Sequence, residues 1–532
     1  MAEALVQSGL HLHEQLMSTA HPRQALVVSL LVLCPLLLLL ARFATTGKAT
    51  TSRERLLAKL PSPPTRLPVI GHLHLVGSLP HVSLRDLVER HGHGGLMLLR
   101  LGAVPTLVVS SPRAAQAVLR THDHAFASRK GSAVTDILFY GSSDIAFSPY
   151  GEHWRNIRKI VTTQLLTVKK VRAYRFVREH EVRLVMEKTG EAAAMGKAVD
   201  LSGLLLFFTN EIMCNIVSGK LFMEEGRRNK LFRELTEANS KLLGGFNLED
   251  YFPSMGRLGV VRKVVCAKAK KVSKRWDDLL DRLIDGHDSK SVANHGDEKI
   301  SDLIDVLLSI QQQYGLTRDN VKAILVDMFQ AGTDTSSIVL EYAMAELMRK
   351  PRLMEKLQAE VRGIVPRGND MVTEDDLNSM SYLKAVIKET LRLHPPVVLF
   401  VPHLSLADCD IEGYTIPAGT RVIINGWAIG RDTSSWERAD EFVPERFMEG
   451  SSTANVDYSG NDFLFLPFGS GRRMCPGMNF AISTMKIMLA NLMYHFDWKL
   501  PAGCMNVDMT ESFGVTVHRK EKLLLIPVQP SH

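Results

Sequence analysis

The 532-residue chain is poor in the patterns that most often announce a chemistry. Its six cysteines, Cys34, Cys214, Cys266, Cys409, Cys475 and Cys504, lie far apart. No C-x-x-C pair is present to hold zinc or exchange thiols, and no C-x-x-C-H to tether a prosthetic group covalently. A disulfide framework is therefore not expected, and the body of the chain suits a reducing compartment. No G-x-G-x-x-G follows a strand, so the chain has no dinucleotide cradle of its own for flavin or nicotinamide. No repeat divides the sequence, and no Pro/Ser-rich linker interrupts residues 71–532, which we read as one unusually large domain. Charge is nearly balanced, with 64 Lys and Arg against 57 Asp and Glu. The small basic excess is compatible with an anionic membrane or an acidic partner, and it forms no motif that reads nucleic acid.

What is abundant is aliphatic sequence. Residues 25–41, ALVVSLLVLCPLLLLLA, are the most hydrophobic run, short of the about 20 residues that span a bilayer unless Phe43 and the flanks contribute. A cleaved signal peptide fits less well, because 24 residues precede the run and no clean small-residue cleavage site follows. Arg42, Lys48, Arg53, Arg55 and Lys59 follow it while only Arg23 precedes it closely, which places the downstream chain on the cytoplasmic side. The expected organisation is a lumenal tail over 1–24, an anchor over 25–41, a basic and Pro-rich hinge over 42–70, and a catalytic body over 71–532. Pro61, Pro63, Pro64 and Pro68 stiffen the hinge. Helical periodicity dominates the body, with two short strands expected in 95–111 and a second strand region in 408–425, turned at Gly413 and Gly419. Residues 286–299 and 449–462 read as solvated loops, and the basic run 268–275 as a wet helix face.

One cysteine is set apart by its surroundings. In LPFGSGRRMCPGMNFA, residues 466–481, glycines and arginines bracket Cys475 just before an apolar helix. A metal-binding cysteine works as thiolate, and the free N–H groups and positive dipole end of a helix starting near Gly477 point back at the sulfur. Pro476, with no N–H to lose, fits the first helical position. Gly469 and Gly471 allow backbone angles closed to other residues and a close approach to a flat ligand. Arg473 is placed to reach an anionic group on that ligand's edge. A lone buried cysteine is usually inert packing, which leaves the glycines and Arg473 unexplained. The complete pattern F-x-x-G-x-R-x-C-x-G, from Phe468 to Gly477, resembles the haem-thiolate signature of the cytochrome P450 family.

Further motifs agree with that resemblance. TRDNVKAILVDMFQAGTDTSSIVLEYAMAELMRKP reads as one helix, capped by Thr317, stopped before Pro351 and on the order of 50 Å long at 1.5 Å per residue. In its middle, Ala331-Gly332-Thr333-Asp334-Thr335 matches the family's oxygen-binding pattern, with Ala331 and Gly332 against the haem. A mid-helix glycine costs roughly 1 kcal/mol, and Thr335 can bond back to a carbonyl one turn earlier, so a local distortion is expected there. The resemblance assigns Thr335 to holding oxygen and ordering a proton-carrying water, and Asp334 to relaying protons from the surface. Glu389 and Arg392 in KETLRLHPP, with Arg446 in Pro444-Glu445-Arg446-Phe447, match the family's structural charged triad. Alone, such an E-x-x-R pair is usually a surface ion pair worth little. Trp154 and Arg158 match the W-x-x-x-R helix that contacts haem propionates, and His403 occupies a place with the same role.

The resemblance implies a mainly α fold with small β-sheets, haem b between the long helix and the cysteine-bearing helix, and Cys475 on the iron. It implies a monooxygenase that places one atom of O2 in an organic substrate and reduces the other to water. Electrons would come from NADPH through a membrane-bound reductase, docked on basic residues including Lys159, Lys169, Lys170 and Arg472. A haem-thiolate isomerase or dehydratase without a reductase, and a haem-binding sensor, are the alternatives; Asp334 and Thr335 speak against both. In texture the chain resembles plant microsomal members of the 71 clan, above all grass enzymes that oxidise indole, indolinone and benzoxazinone skeletons. Pocket walls are expected from residues 130–147 and 210–219, from Phe329 and Ala331, from 397–401 with Val397 and Phe400, and from Phe513 and Val515. These apolar segments suit a small aromatic or terpenoid molecule held by desolvation. They do not name it, since such a pocket discriminates by only about 1 to 3 kcal/mol per methylene.

Overall fold

The computed structural model describes residues 51–219, 225–245, 247–254, 259–291, 301–366 and 368–530. The expected tail, the anchor over 25–41 and the hinge as far as residue 50 lie outside the described residues, as do residues 292–299 of the expected loop. Seven helices and four strands place the site: α1 (Glu152–Ile160), α2 (Leu201–Ser218), α3 (Glu225–Gly244), α4 (Gly259–Ser291), α5 (Arg318–Arg349), α6 (Ser381–Leu393) and α7 (Met478–His495), with β1 (Leu96–Leu101), β2 (Val104–Val109), β3 (His403–Leu404) and β4 (Arg421–Ile424).

Thr317 starts α5. Its hydroxyl accepts the Asn320 N–H at 3.1 Å while the Asn320 side chain accepts the Thr317 N–H at 3.0 Å, a reciprocal cap. The helix ends at Lys350, before Pro351, after 32 residues or about 48 Å. Most of its side chains from Val321 to Leu347 are buried because α2, α3, α6 and α7 all pack on it. The distortion expected at 331–335 is not there, and α5 is helical throughout. Thr335 Oγ1 does donate to the Ala331 carbonyl, at 2.7 Å. A carbonyl has a second lone pair, so the hydroxyl adds to the helical ladder without replacing a rung. Gly332 serves the packing of α2: a Cβ there would lie 2.4 Å from Met213 Sδ.

Among the described residues α2 alone is long and apolar enough to cross a membrane, yet 67% of it is buried inside the fold, much of it against α5. By length and composition it passes as a membrane helix; its packing is that of a core helix. One four-stranded sheet runs in the order β1-β2-β4-β3. The β1–β2 hairpin is antiparallel with Leu98 opposite Leu107, β2 runs parallel to β4 with Val108 beside Ile423, and β3 returns antiparallel so that His403 faces Val422. Both expected strand regions are present. Gly413 and Gly419 turn the second one with φ of 81° and 75°.

Glu389, Arg392 and Arg446 meet in the core. Glu389 and Arg392 are 0% and 1% exposed, so this is no surface pair. Arg392 forks onto both oxygens of Glu389 at 2.8 Å and gives its remaining donors to the carbonyls of Gly430, Ala439 and Glu441. Arg446 reaches Glu389 at 3.0 Å, and the Val443 N–H donates to the same carboxylate at 2.7 Å. Removing one partner would strand a buried charge. Glu389→Ala is expected to destabilise the fold by roughly 3–5 kcal/mol, read as a fall in the denaturant midpoint, while a surface ion-pair change such as Lys241→Ala should move it by less than about 1 kcal/mol.

Candidate active site

Cys475 is held by its own loop and by the mouth of α7. Its N–H donates to the Phe468 carbonyl at 2.9 Å, closing the loop. Gly469 and Gly471 take φ of +70° and +68°, the left-handed region that strains other residues. Gly471 is fixed a second time, because a Cβ would sit 2.2 Å from the Leu119 carbonyl oxygen. Its close approach is therefore to a neighbouring backbone and not, as expected, to a ligand. Helix α7 begins at Met478 with Gly477 as its cap, so Pro476 lies outside the helix instead of at its first position.

Burial pushes the Cys475 thiol above its ordinary value; the Gly477 N–H and the Arg158 guanidinium pull the other way without overcoming it. The helix end alone does not produce the thiolate expected from the sequence, since an enclosed sulfur loses more solvation than one N–H returns. A coordinated metal ion deprotonates such a thiol outright.

The sulfur faces a cavity of about 310 Å³ whose walls include Phe468, Gly469 and Gly477 of the cysteine loop, Ala331, Gly332 and Thr335 of α5, and the expected Val397 and Phe400. Four basic residues, Arg129, Arg158, His403 and Arg473, also line it, against a single carboxyl, Asp327. Arg473 donates to the carbonyls of Ala127, Ile145 and Ser148 at 2.7, 3.2 and 2.6 Å, and burial lowers it to about 10. Arg129 donates to Ala146 and Val401 at 3.3 and 2.5 Å. His403 Nδ1 donates to the Phe126 carbonyl at 2.7 Å, and burial beside Arg129 and Arg473 holds the ring well below its ordinary value. Arg158 differs. Its guanidinium has no hydrogen-bond partner among the described residues, and burial lowers its pKa with only the cysteine sulfur opposing.

Several expected contacts fall elsewhere. Trp154 is not a wall of the cavity: its indole N–H donates to the Ile145 carbonyl at 3.0 Å, and the Arg473 guanidinium lies 4.1 Å from a ring centre. It fixes the plane of Arg473 from behind. Phe329 is turned roughly 200° round α5 from Ala331 and stacks on Phe232, with ring centres 3.8 Å apart, in the core between α3, α4 and α5. Phe513 and Val515 line a second space of about 860 Å³, together with Ser240, Glu237, Arg519 and Asp334. Asp334 Oδ2 accepts from Ser240 Oγ at 3.2 Å, and Ser240 accepts from Gln330 Nε2 at 2.6 Å. Burial raises the Asp334 carboxyl to about 6. Of the basic residues expected to receive a reductase, Lys159 and Lys169 are exposed and Lys170 is half-buried, whereas Arg472 is paired with Asp123 at 3.0 Å.

Sequence reasoning missed Arg129 and Asp327. Asp327 could have been found, since it lies four residues before Ala331 and eight before Thr335 on one face of a helix. Arg129 could not: its hydrogen bonds join it to Val401, 272 residues away.

An enclosed sulfur, an apolar space and a guanidinium with nothing to hold suit a flat apolar ring that carries carboxylates, and that is haem in a thiolate-ligated protein. The comparisons agree. The profile of the family described as Cytochrome P450 matches residues 61–526. Over 529 residues the chain is 56% identical to a Zea mays indole-2-monooxygenase, covering 97% of this chain and 98% of that one. It is 53% identical over 511 residues to a Zea mays indolin-2-one monooxygenase, covering 94% and 95%. A zebra fish cytochrome P450 solved with abiraterone superposes with a TM-score of 0.71 at 25% identity, over 86% of this chain and 100% of that one. The chain belongs to the cytochrome P450 family. Its cofactor is haem b, and it inserts oxygen from O2 into a small organic substrate with electrons passed from NADPH by a reductase.

The three loop glycines should differ in tolerance. Gly477→Ala is expected to load haem like the parent, since a Cβ there meets only Cys475 Sγ, at 3.8 Å. Gly469→Ala should lose roughly 1–2 kcal/mol to left-handed strain. Gly471→Ala, with strain and a backbone clash together, should lose most of its haem. Haem-to-protein ratio and Tm rank the three.

Proposed function

We propose that the Cys475 sulfur would hold the haem iron in a membrane-anchored oxygenase of small bicyclic aromatic substrates of the indole type. The observation that carries this reading is the Cys475 sulfur facing an apolar cavity in which Arg158 has no hydrogen-bond partner among the described residues. Bound there, haem supplies oxygen activation, and thiolate ligation favours O–O cleavage. Arg158, with its donors free, and the cavity edges of Arg473 and His403 hold the propionates. Val397, Phe400 and Met213 exclude water from the substrate.

Thr335 and Asp334 divide the proton traffic between two sides of α5. The Thr335 hydroxyl proton is committed to the Ala331 carbonyl at 2.7 Å, which leaves its oxygen lone pairs facing the cavity to hold a proton-bearing water. Asp334, one residue earlier, faces the second space, where charged neighbours keep contact with solvent, and hands protons across the helix. Residues 25–41 tether the body to the cytoplasmic face of the endoplasmic reticulum. The two Zea mays relatives, at 56% and 53% identity, support an indole-type substrate through the compounds in their names.

The full-length chain is expected in carbonate-washed microsomal membranes. There, reduction and carbon monoxide should give a thiolate-type Soret band, and indole-type substrates should be oxygenated only with NADPH and reductase. Cys475→Ser should abolish both; a variant that keeps the band refutes the ligand assignment, and product formed without reductase moves the chain to the isomerase or dehydratase class.

The Asp334 carboxyl, raised to about 6, is protonated below that pH and ionised above it. Proton delivery should weaken as pH rises through about 6. Asp334→Asn has no such proton, so its turnover should fall by roughly tenfold or more at pH 6 and lose the bend in its pH profile. The stability sign is opposite to that of a salt-bridged acid: burial of this carboxyl opposes folding increasingly from its ordinary range up to about pH 6, so the Asn variant should gain stability relative to the parent above pH 6.

A further inference from the structure

Asp327 is an acid on the wall of an apolar pocket. It is 5% exposed and is the one carboxyl among the described residues that line the cavity. Its Oδ2 accepts the Ile145 N–H at 2.7 Å. Asp144, at the head of the same segment, is fully buried and accepts the N–H groups of Ala146 and Phe147 at 3.1 and 2.7 Å. Two carboxyl groups thus bracket residues 145–147.

Two like charges so placed, away from water, do not both ionise. Asp144 has the cations: Arg129 and Arg473 both act on it. Among the described residues no cation pairs with Asp327, and its neighbour is the Asp144 charge. The shared proton therefore rests on Asp327. Burial first, and Asp144 second, hold that carboxyl well above its ordinary range, while Asp144 itself is raised only to about 6. A neutral acid accepts best through its carbonyl oxygen, which is the one on the Ile145 N–H. The Ala146 N–H also acts on this carboxyl, and the hydroxyl, on a residue that lines the cavity, meets no side-chain acceptor among the described residues. A buried donor without an acceptor is unfavourable until a ligand supplies one.

We propose that Asp327 is a specificity-determining residue: its carboxyl group offers one O–H into the pocket and selects bicyclic substrates that carry a carbonyl or hydroxyl oxygen. The proposal rests on the oxygenase reading above and deepens it. Asp327 stands one turn, roughly 6 Å, before Ala331 and two turns, roughly 12 Å, before Thr335 along α5. A substrate whose oxygen reaches Asp327 presents its opposite edge to Ala331 and Thr335, so the same contact orients the molecule for reaction at the edge away from its oxygen.

The test is a residue-by-ligand cycle on the full-length holoprotein, with dissociation constants from the haem spin-state shift and from calorimetry. The probes are indan-2-one and 2-methyleneindane, one shape with and without the acceptor oxygen. Wild type should bind the ketone at least threefold tighter than the methylene analogue. Asp327→Leu should weaken the ketone at least tenfold and change the analogue by less than threefold. Asp327→Asn, whose carbonyl can take the Ile145 N–H while its amide N–H donates to the ketone, should stay within threefold of wild type on both. Equal weakening of both ligands by Asp327→Leu reduces Asp327 to a clamp on residues 145–147 and overturns the proposal, as does a wild type without preference for the ketone. If the Leu variant does not load haem, wild type and Asp327→Asn decide alone: loss of the ketone preference in Asn also overturns it. The reduced carbon monoxide spectrum and reductase-driven NADPH consumption of the same wild type report separately on the oxygenase reading.

Discussion

The Cys475 sulfur is in competition between burial, which favours the thiol, and two attractions, the Gly477 N–H and the Arg158 guanidinium, which favour the thiolate. Neither attraction is large enough alone, and that imbalance sets the demands on the rest of the fold. The sulfur must be enclosed, or water would compete for the metal. It must also be reachable from one side only, so its loop closes through the Cys475-to-Phe468 hydrogen bond and two left-handed glycines while α7 covers its back. In the core the Glu389–Arg392–Arg446 cluster ties α6 to residues 430–446. A metal ion bound at this sulfur would favour the thiolate that burial opposes.

On the other side, α5 works as a partition. Thr335 faces the apolar cavity and Asp334 the polar one, and the two are neighbours in sequence. A helix turns about 100° per residue, so consecutive side chains can belong to spaces of different polarity without any break in the backbone. On the proposed roles of Thr335 and Asp334, that geometry would separate two requirements that conflict at a single point: a dry site for an apolar substrate and a supply of protons from water. It also explains why an unbroken helix suffices where a distorted one was expected. Gly332 adds the close fit of Met213, so the partition has no gap on the α2 side.

What could be read in advance was what depends on local sequence. The capping box at Thr317, the stop before Pro351, the hairpins and the left-handed glycines follow from short-range rules, and they are present. So does the gathering of Phe468, Arg473, Cys475 and Gly477 at one cavity, because they share one loop. Readings that needed a rotation or a long-range neighbour fared worse. Phe329 is two residues from Ala331, and those two steps carry it into the aromatic core with Phe232 and Trp276. Phe513 and Val515 belong to a tail segment whose placement no nearby pattern fixes. Trp154 was given a ligand contact, and the backbone carbonyl of Ile145 takes its N–H first. The anchor expected over residues 25–41 is the converse case: it is a sequence reading that lies outside the described residues.

Buried charge comes in two kinds here, and they can be told apart by how completely each is satisfied. Arg392 uses all five of its N–H donors, two on Glu389 and the others on main-chain carbonyls, so nothing remains to bind a ligand. Arg473 sits between the extremes, with three carbonyls engaged and an edge still on the cavity. Arg158 has no acceptor among the described residues. The first arrangement stabilises a fold and would be harmed by any new partner; the last is unfavourable in the protein alone and becomes favourable only when an anion arrives. Asp327 stands on the same cavity wall, with its Oδ2 on the Ile145 N–H and no cation paired with it among the described residues. Arg158 and Asp327, both on the cavity wall, are thus less completely satisfied by the described residues than Arg392 in the core, and it is at such a wall that a bound group can complete what the protein leaves open.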